Sequence, residues 1–297
     1  FFTNIFQRRT NMKNTIRRIL SIALAAVLTA VMLSAFTSCS QKKDENKLYV
    51  GMECGYAPFN YTQKDDANGA VKISNADGYA NGYDVMIAKK IAEALGKELV
   101  IVKYEFNPLV NAVKAGTLDL IIAGMSPTAE RMKSIDFSDK YYESQLVVVV
   151  RKDGKYANAK SLTELSGAKL VAQIGTFHND ALQAQASKYG ITASTPMDTF
   201  PEMINALKTA SIDGYIAEEP GAKADCAATS DFTYIPLVNN STGFEASAED
   251  VQIAVGLKKG SQYREAINNL LKTISDEERL QMMTKATEWS TGSNVQN

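Results

Sequence analysis

Histidine is almost missing: His178 is the single one in 297 residues. A serine-type proton relay needs a histidine, and zinc sites draw on histidine or paired cysteine, so both chemistries have little to build on. The three cysteines, Cys39, Cys54 and Cys226, fit no metal-ligand spacing. Neither a G-x-S-x-G elbow nor a phosphate-cradling glycine loop occurs. The expectation is therefore no metal and no cofactor. After residue 36 no further long apolar run appears, which disfavours a receptor whose body is followed by its own membrane helix.

What is present begins with a charge asymmetry. Residues 1–18 carry Arg8, Arg9, Lys13, Arg17 and Arg18 and no acid, and Ile19 to Phe36 is nearly unbroken apolar sequence. A basic stretch followed by a short apolar run is the pattern of a secretory signal, expected here over 1–38. The first Met is Met12, the more usual place for such a signal to start. The run ends in Phe36-Thr37-Ser38-Cys39. Small residues before a Cys resemble a lipoprotein signal, which implies acylation of Cys39; the alternative is an uncleaved anchor helix. Residues 39–46 are a polar tether and 290–297 a tail. Beyond residue 38 the chain has 27 basic residues (32 less 5) against 33 acidic ones, a balance of −6. That balance argues against nucleic acid as a partner.

The body alternates strand and helix patterns. Leu48–Met52, Leu99–Val102, Leu118–Ala123 and Val147–Val150 read as strands. Between them, Asp84–Leu95 has helical periodicity, with Asp84 as its expected cap, and Pro108 opens a helix that Gly116 closes. The pattern then restarts: strands at 170–174, 212–217 and 251–257, helices at 177–189, 200–210, from 218, 261–274 and 277–288. Such alternation predicts parallel sheets with helices on both faces, and two blocks predict two lobes.

Seven segments carry a resemblance. They are Gly55-Tyr-Ala-Pro-Phe59, Gly82-Tyr-Asp-Val85, Gly116 to Gly124, Thr128-Ala-Glu-Arg131, Ile135 to Tyr142, Gly175-Thr176, and Asp213 to Pro220. In this order they resemble the bacterial extracellular solute-binding proteins of family 3, the amino-acid-binding components of ABC importers. The resemblance implies an α/β fold of two doubly wound lobes joined by two hinge strands, of the periplasmic binding protein type II kind. Lobe one would take 47–148 and 245–289, lobe two 149–244. The ligand would lie between them at the carboxyl ends of the strands.

The same resemblance implies the site. A free amino acid presents a carboxylate, an ammonium and a side chain, and a burying site must answer each charge. Arg131 would fork onto the carboxylate, aided by Ser126, Thr176 and the backbone N–H of Phe177. Glu218 would take the ammonium with the carbonyl of Gly124. Tyr56 and Phe106 would wall the side-chain pocket, and Glu53 would meet its distal group, with Gln173 as a lesser candidate. A carboxylate at Glu53 favours arginine, lysine or histidine, with glutamine behind. His178 reads as a helix-surface residue, and Asp119, Asp136, Asp139 and Asp84 as structural.

The implied partners are a free amino acid and a membrane permease. The implied location is the outer face of the cell membrane, held by the lipid on Cys39, with the protein acting as a monomer. Two alternatives remain open: an amino-acid-sensing surface domain, and an enzyme on the same scaffold, like the periplasmic dehydratases of arogenate-like acids. Cys54 and Cys226 are expected as free thiols, with a bridge as the alternative.

Overall fold

A computed structural model describes residues 43–292 and 295. The expected signal, its cleavage site and Cys39 lie outside the described residues. Contacts divide the chain after Asp44, and the unit from Glu45 onward holds the strands and helices. Among the described residues no helix is long and apolar enough to cross a membrane.

The first part of the chain runs β1 (Lys47–Met52), β2 (Gly55–Tyr56), β3 (Asn60–Gln63), β4 (Val71–Lys72), β5 (Tyr79–Asn81), α1 (Tyr83–Ala94), β6 (Glu98–Lys103), α2 (Leu109–Lys114), β7 (Leu120–Ile121), α3 (Ala129–Ser134) and β8 (Asp136–Glu143). The second runs β9 (Leu146–Arg151), β10 (Lys169–Val171), α4 (Phe177–Gln185), β11 (Thr192–Ala193), α5 (Phe200–Lys208), β12 (Gly214–Glu218), α6 (Glu219–Ala228) and β13 (Phe232–Ile235). Then β14 (Gln252–Leu257), α7 (Tyr263–Thr273) and α8 (Asp276–Ser290) complete the order.

Two five-stranded sheets result, in the orders β6-β1-β7-β14-β8 and β11-β10-β12-β9-β13. Each has three parallel strands and then one strand antiparallel to both its neighbours. The expectation of wholly parallel sheets is thus corrected. Parallel pairing needs a crossover helix, and the strands that carry the chain between sheets, β9 and β14, lack one on entry. The chain leaves the first sheet after Glu143, enters the second at Leu146, and returns between Ile235 and Gln252. The strand expected to straddle the 148/149 division lies wholly in the second sheet. A small antiparallel sheet, β2-β3-β5-β4, adjoins the first.

Local sequence explains the elements that matter for function. Helix α5 begins with a capping box in which Thr199 and Glu202 satisfy each other's backbone N–H. Its apolar stripe buries Phe200, Met203, Ala206 and Leu207. Full burial of each large side chain contributes about 1.5–3 kcal/mol. Strand β12 is buried along its length, as a strand covered on both faces must be. Asp84 does not cap α1 as expected. It lies inside the helix, fully buried, accepting from Asn60 Nδ2 and Tyr141 OH, each at 2.7 Å. Tyr141 OH accepts in turn from the N–H of Gly124 at 3.3 Å, and Asn60 Oδ1 from the N–H of Cys54 at 2.7 Å. One buried carboxylate therefore braces the turns that carry Cys54 and Gly124. Other aspartates also serve backbone: Asp119 accepts from Tyr49 N–H and Asp136 from Gly260 N–H, both at 2.8 Å.

Candidate functional site

Strand β12 delivers Glu218 to the junction with α6, at the carboxyl end of the second sheet. From the first sheet's side, the turn after β7 brings Gly124 and Ser126, and the first turn of α3 brings Arg131, whose N–H is capped by Thr128. Between the two sheets these residues line one small cavity with Tyr56, Phe106, Thr176, Phe177, Gln173 and His178. About 10 Å³ of space is open to the centre of a water molecule, the lower limit for a single water. Across it, polar groups of the two sides bond directly to one another.

Arg131 donates to the carbonyl of Ser126 at 2.7 Å and to the carbonyl of Gly175, on the opposite side, at 2.8 Å. Its guanidinium lies over the Phe106 ring, 5.2 Å from the centroid, a favourable cation–π arrangement. Burial lowers its pKa to about 10, with Asp180 and Asp250 opposing. Tyr56 donates its hydroxyl to Glu218 Oε2, and His178 Nε2 lies 2.9 Å from Glu218 Oε1. Burial raises the Glu218 carboxyl and lowers the His178 imidazole, the latter helped by the Arg131 charge. The ring of Tyr56 also stacks on Phe200, centroids 4.1 Å apart.

Glu53 is buried behind Gln173, which lines the cavity and donates to Glu53 Oε1 at 2.9 Å and to the carbonyl of Asp198 at 2.9 Å. Burial raises the Glu53 carboxyl to about 7. The Thr176 hydroxyl is committed to its own turn, donating to the Gln173 carbonyl at 2.6 Å and accepting from Asn179 N–H. Phe177 is a further lining residue of the cavity.

His178 requires a correction. It is 5 % exposed, not on the helix surface, because the first turn of α4 faces β12 rather than solvent. Phe200 was legible as the start of a helix but not as a wall of the site. Its pairing with Tyr56 spans residues far apart in sequence, and local periodicity carries no such signal. Cys54 and Cys226 are free thiols. Among the described residues no cluster of His, Cys, Asp or Glu could hold a metal.

Two five-stranded sheets of one repeated pattern, joined by two crossings and meeting at a charged cleft, define a solute-binding protein. The chain belongs to the bacterial extracellular solute-binding proteins, family 3, whose family model matches residues 48–286. It is 28 % identical to the arginine-binding extracellular protein ArtP of Bacillus subtilis over 91 % of this chain and 98 % of that protein. Among solved structures it resembles an amino acid ABC transporter substrate-binding protein from Streptococcus pneumoniae bound to L-arginine. The TM-score is 0.70 and the identity 28 %, over 82 % of this chain and 95 % of that one. An ancestral arginine-binding protein bound to glutamine matches with a TM-score of 0.65 and 26 % identity, over 82 % and 98 % of the two chains.

Proposed function

We propose that this chain captures a free amino acid in the cleft and presents it to the permease of an ABC importer. The observation that carries the reading is that Arg131 and Glu218, a fixed cation and an acid, line one cavity from opposite sides. A zwitterion answers both. Its carboxylate takes over the guanidinium from the carbonyls of Ser126 and Gly175. Its ammonium engages Glu218 and the Gly124 carbonyl. The N–H of Phe177, in the first turn of α4, supplies a further donor to the carboxylate.

Capture requires opening, because the contracted cavity is too small for an amino acid. The open form offers Arg131, Ser126, Tyr56 and Phe106 on one side. Closure adds Glu218, Thr176 and Phe177 from the other. Only the closed, occupied state satisfies every charge, so ligand shifts the balance toward it. The ligand side chain runs along the aromatic walls toward Gln173, with Glu53 behind it. That order of groups supports a cationic or amide-bearing ligand, with L-arginine foremost, lysine and histidine next, and glutamine after them. The relatives bound to arginine and to glutamine support the same range.

The reading includes export by residues 1–38, tethering through lipid on Cys39, and work as a single chain at the outer face of the membrane. It also makes the chain a binding protein and not an enzyme. The test is a thermal-shift screen of the twenty amino acids followed by mass spectrometry of the ligand. Binding to the native state raises its melting temperature. The expected result is a rise with L-arginine and recovery of unaltered ligand. No rise with any amino acid overturns the reading, and a changed ligand mass makes the protein an enzyme.

A further inference from the structure

We propose that Phe200 is a ligand-contacting, specificity-determining residue, which forms with Tyr56 an aromatic clamp that takes the flat cationic end of the captured amino acid between the two rings. This rests on the reading of the cleft as an amino-acid site and adds to it a contact from the second sheet's side.

Tyr56 has both of its faces covered. Phe59 stacks on it with centroids 5.1 Å apart and planes 24° apart, and Phe200 with centroids 4.1 Å and planes 17° apart. Among the described residues Phe59 and Phe200 make no ring contact with each other, so they lie on opposite faces of Tyr56. Phe59 is fully buried on the same side of the cleft as Tyr56, so it stays in place when the cleft opens. Phe200 belongs to the other side. It opens α5, where the capping box of Thr199 and Glu202 fixes it. The face of Tyr56 that opening uncovers is therefore the one Phe200 now covers, and both rings line the cavity.

Three of the contacts across the cavity match the three parts of an amino acid. Arg131 meets the Gly175 carbonyl, the Tyr56 hydroxyl meets Glu218, and the Tyr56 ring meets Phe200. The carboxylate enters the first and the ammonium the second. The side chain leaves from beside the Tyr56 hydroxyl, so it runs over the Tyr56 ring and enters the third. The far end of that path is polar: Gln173 donates to the carbonyl of Asp198, just ahead of α5, and to Glu53. At 4.1 Å the two rings leave no room between them. A flat group needs about 7 Å, twice the optimal carbon–carbon separation of about 3.5 Å, so the clamp must open by one layer to admit it. Ring faces are negative and attract a cation. A guanidinium is flat as well as charged and stacks on aromatic faces, whereas the ammonium of lysine is compact and the amide of glutamine is neutral. The clamp thus ranks L-arginine first.

Phe200→Leu keeps an apolar side chain at the head of α5 and removes the ring. L-Citrulline has the length and the flat end of L-arginine without its charge. By calorimetry, Phe200→Leu is expected to weaken L-arginine at least about fivefold more than it weakens L-citrulline, the weight of a cation–π contact removed from water. Glu53 is the same in both proteins, so its preference for a cation cancels in the comparison. Equal weakening of the two ligands makes Phe200 a spacer only and overturns the proposal, as does an unchanged affinity for both.

A second measurement needs no variant. With ¹³C-labelled L-arginine bound to the wild type, the side-chain methylene next to the guanidinium should show nuclear Overhauser contacts to the ring protons of both Tyr56 and Phe200. Contacts to Tyr56 without Phe200, or to neither ring, overturn the proposal. A wild type that binds no amino acid overturns this inference together with the reading of the cleft. A wild type that binds L-arginine, with no Overhauser contact to Phe200 and no loss of preference in Phe200→Leu, overturns the role of Phe200 alone.

Discussion

The guanidinium of Arg131 donates to the carbonyl oxygen of Gly175, 2.8 Å away and 44 positions along the chain. That bond joins the two sides of the cleft where a ligand carboxylate would stand between them. On the proposed reading, a peptide oxygen there stands in for the ligand carboxylate. A carboxylate adds a second ionised partner and a forked geometry to a bond that so far has only one charged member, so on the proposed reading a carboxylate ligand displaces the carbonyl.

Arg131→Ala should therefore weaken L-arginine binding by about 2–5 kcal/mol, the cost of leaving the ligand carboxylate buried without its partner. The measure is calorimetric affinity against wild type. An unchanged affinity would mean that the carboxylate lies elsewhere.

Gly175 has φ +72°, and a Cβ there would fall 1.6 Å from Asn107 Oδ1 across the cleft. Gly175→Ala should thus hold the two sides apart, besides straining the turn. The expected outcome is at least about tenfold weaker binding, or about 1.4 kcal/mol. Small-angle scattering should show a saturated variant that keeps the larger radius of the unliganded protein. A variant that contracts on ligand as wild type does would refute this.

Glu53 is joined to the cavity wall by its hydrogen bond from Gln173. Glu53→Gln removes a buried acid but keeps the amide hydrogen-bonding capacity. L-arginine binding should fall by more than L-glutamine binding, which should change by less than about 1 kcal/mol. Equal effects on the two ligands would contradict the placement of the ligand's distal group near Glu53.

The pH dependence of stability is set by four buried acids, with the buried His178, whose imidazole is lowered, opposing them as a single group. Burial raises Glu53 to about 7, Asp84 to about 6 and Asp225 to about 7, and Glu218 moves the same way. In the unfolded chain such groups titrate near 4. Between about pH 4 and 7 the native state therefore binds more protons than the unfolded one, and stability must fall as pH rises through that window. Without ligand, the melting temperature should be higher at pH 5.5 than at pH 8. Asp84→Asn should flatten the slope. A melting temperature that rises over this interval would show that these carboxyls are ionised in the folded protein.

The α/β class and the restart of the strand–helix pattern were legible in order along the chain, and the residues proposed for a zwitterion came with the family resemblance. The pattern depends on local spacing, as in the stripe of α5 and the buried run of β12. Asp84 shows where that legibility stops. Its place ahead of an apolar stripe reads as a cap, but Asn60 and Tyr141 reach it from other elements and turn it inward.

By itself the sequence determined the order of strands and helices, because element periodicity is a local property, and its seven motifs nominated the residues for a carboxylate and an ammonium through the family resemblance. Only the tertiary structure decided how they are wired. It turned His178 from a surface residue into a buried neighbour of Glu218, put Gln173 in front of Glu53 across 120 positions, and set Tyr56 against Glu218 across 162. The antiparallel fourth strand of each sheet was decided there too. The physical reason is common to all of these. Such contacts form only when distant segments are packed together, and the helix turn or strand pleat that holds one partner carries no record of the other.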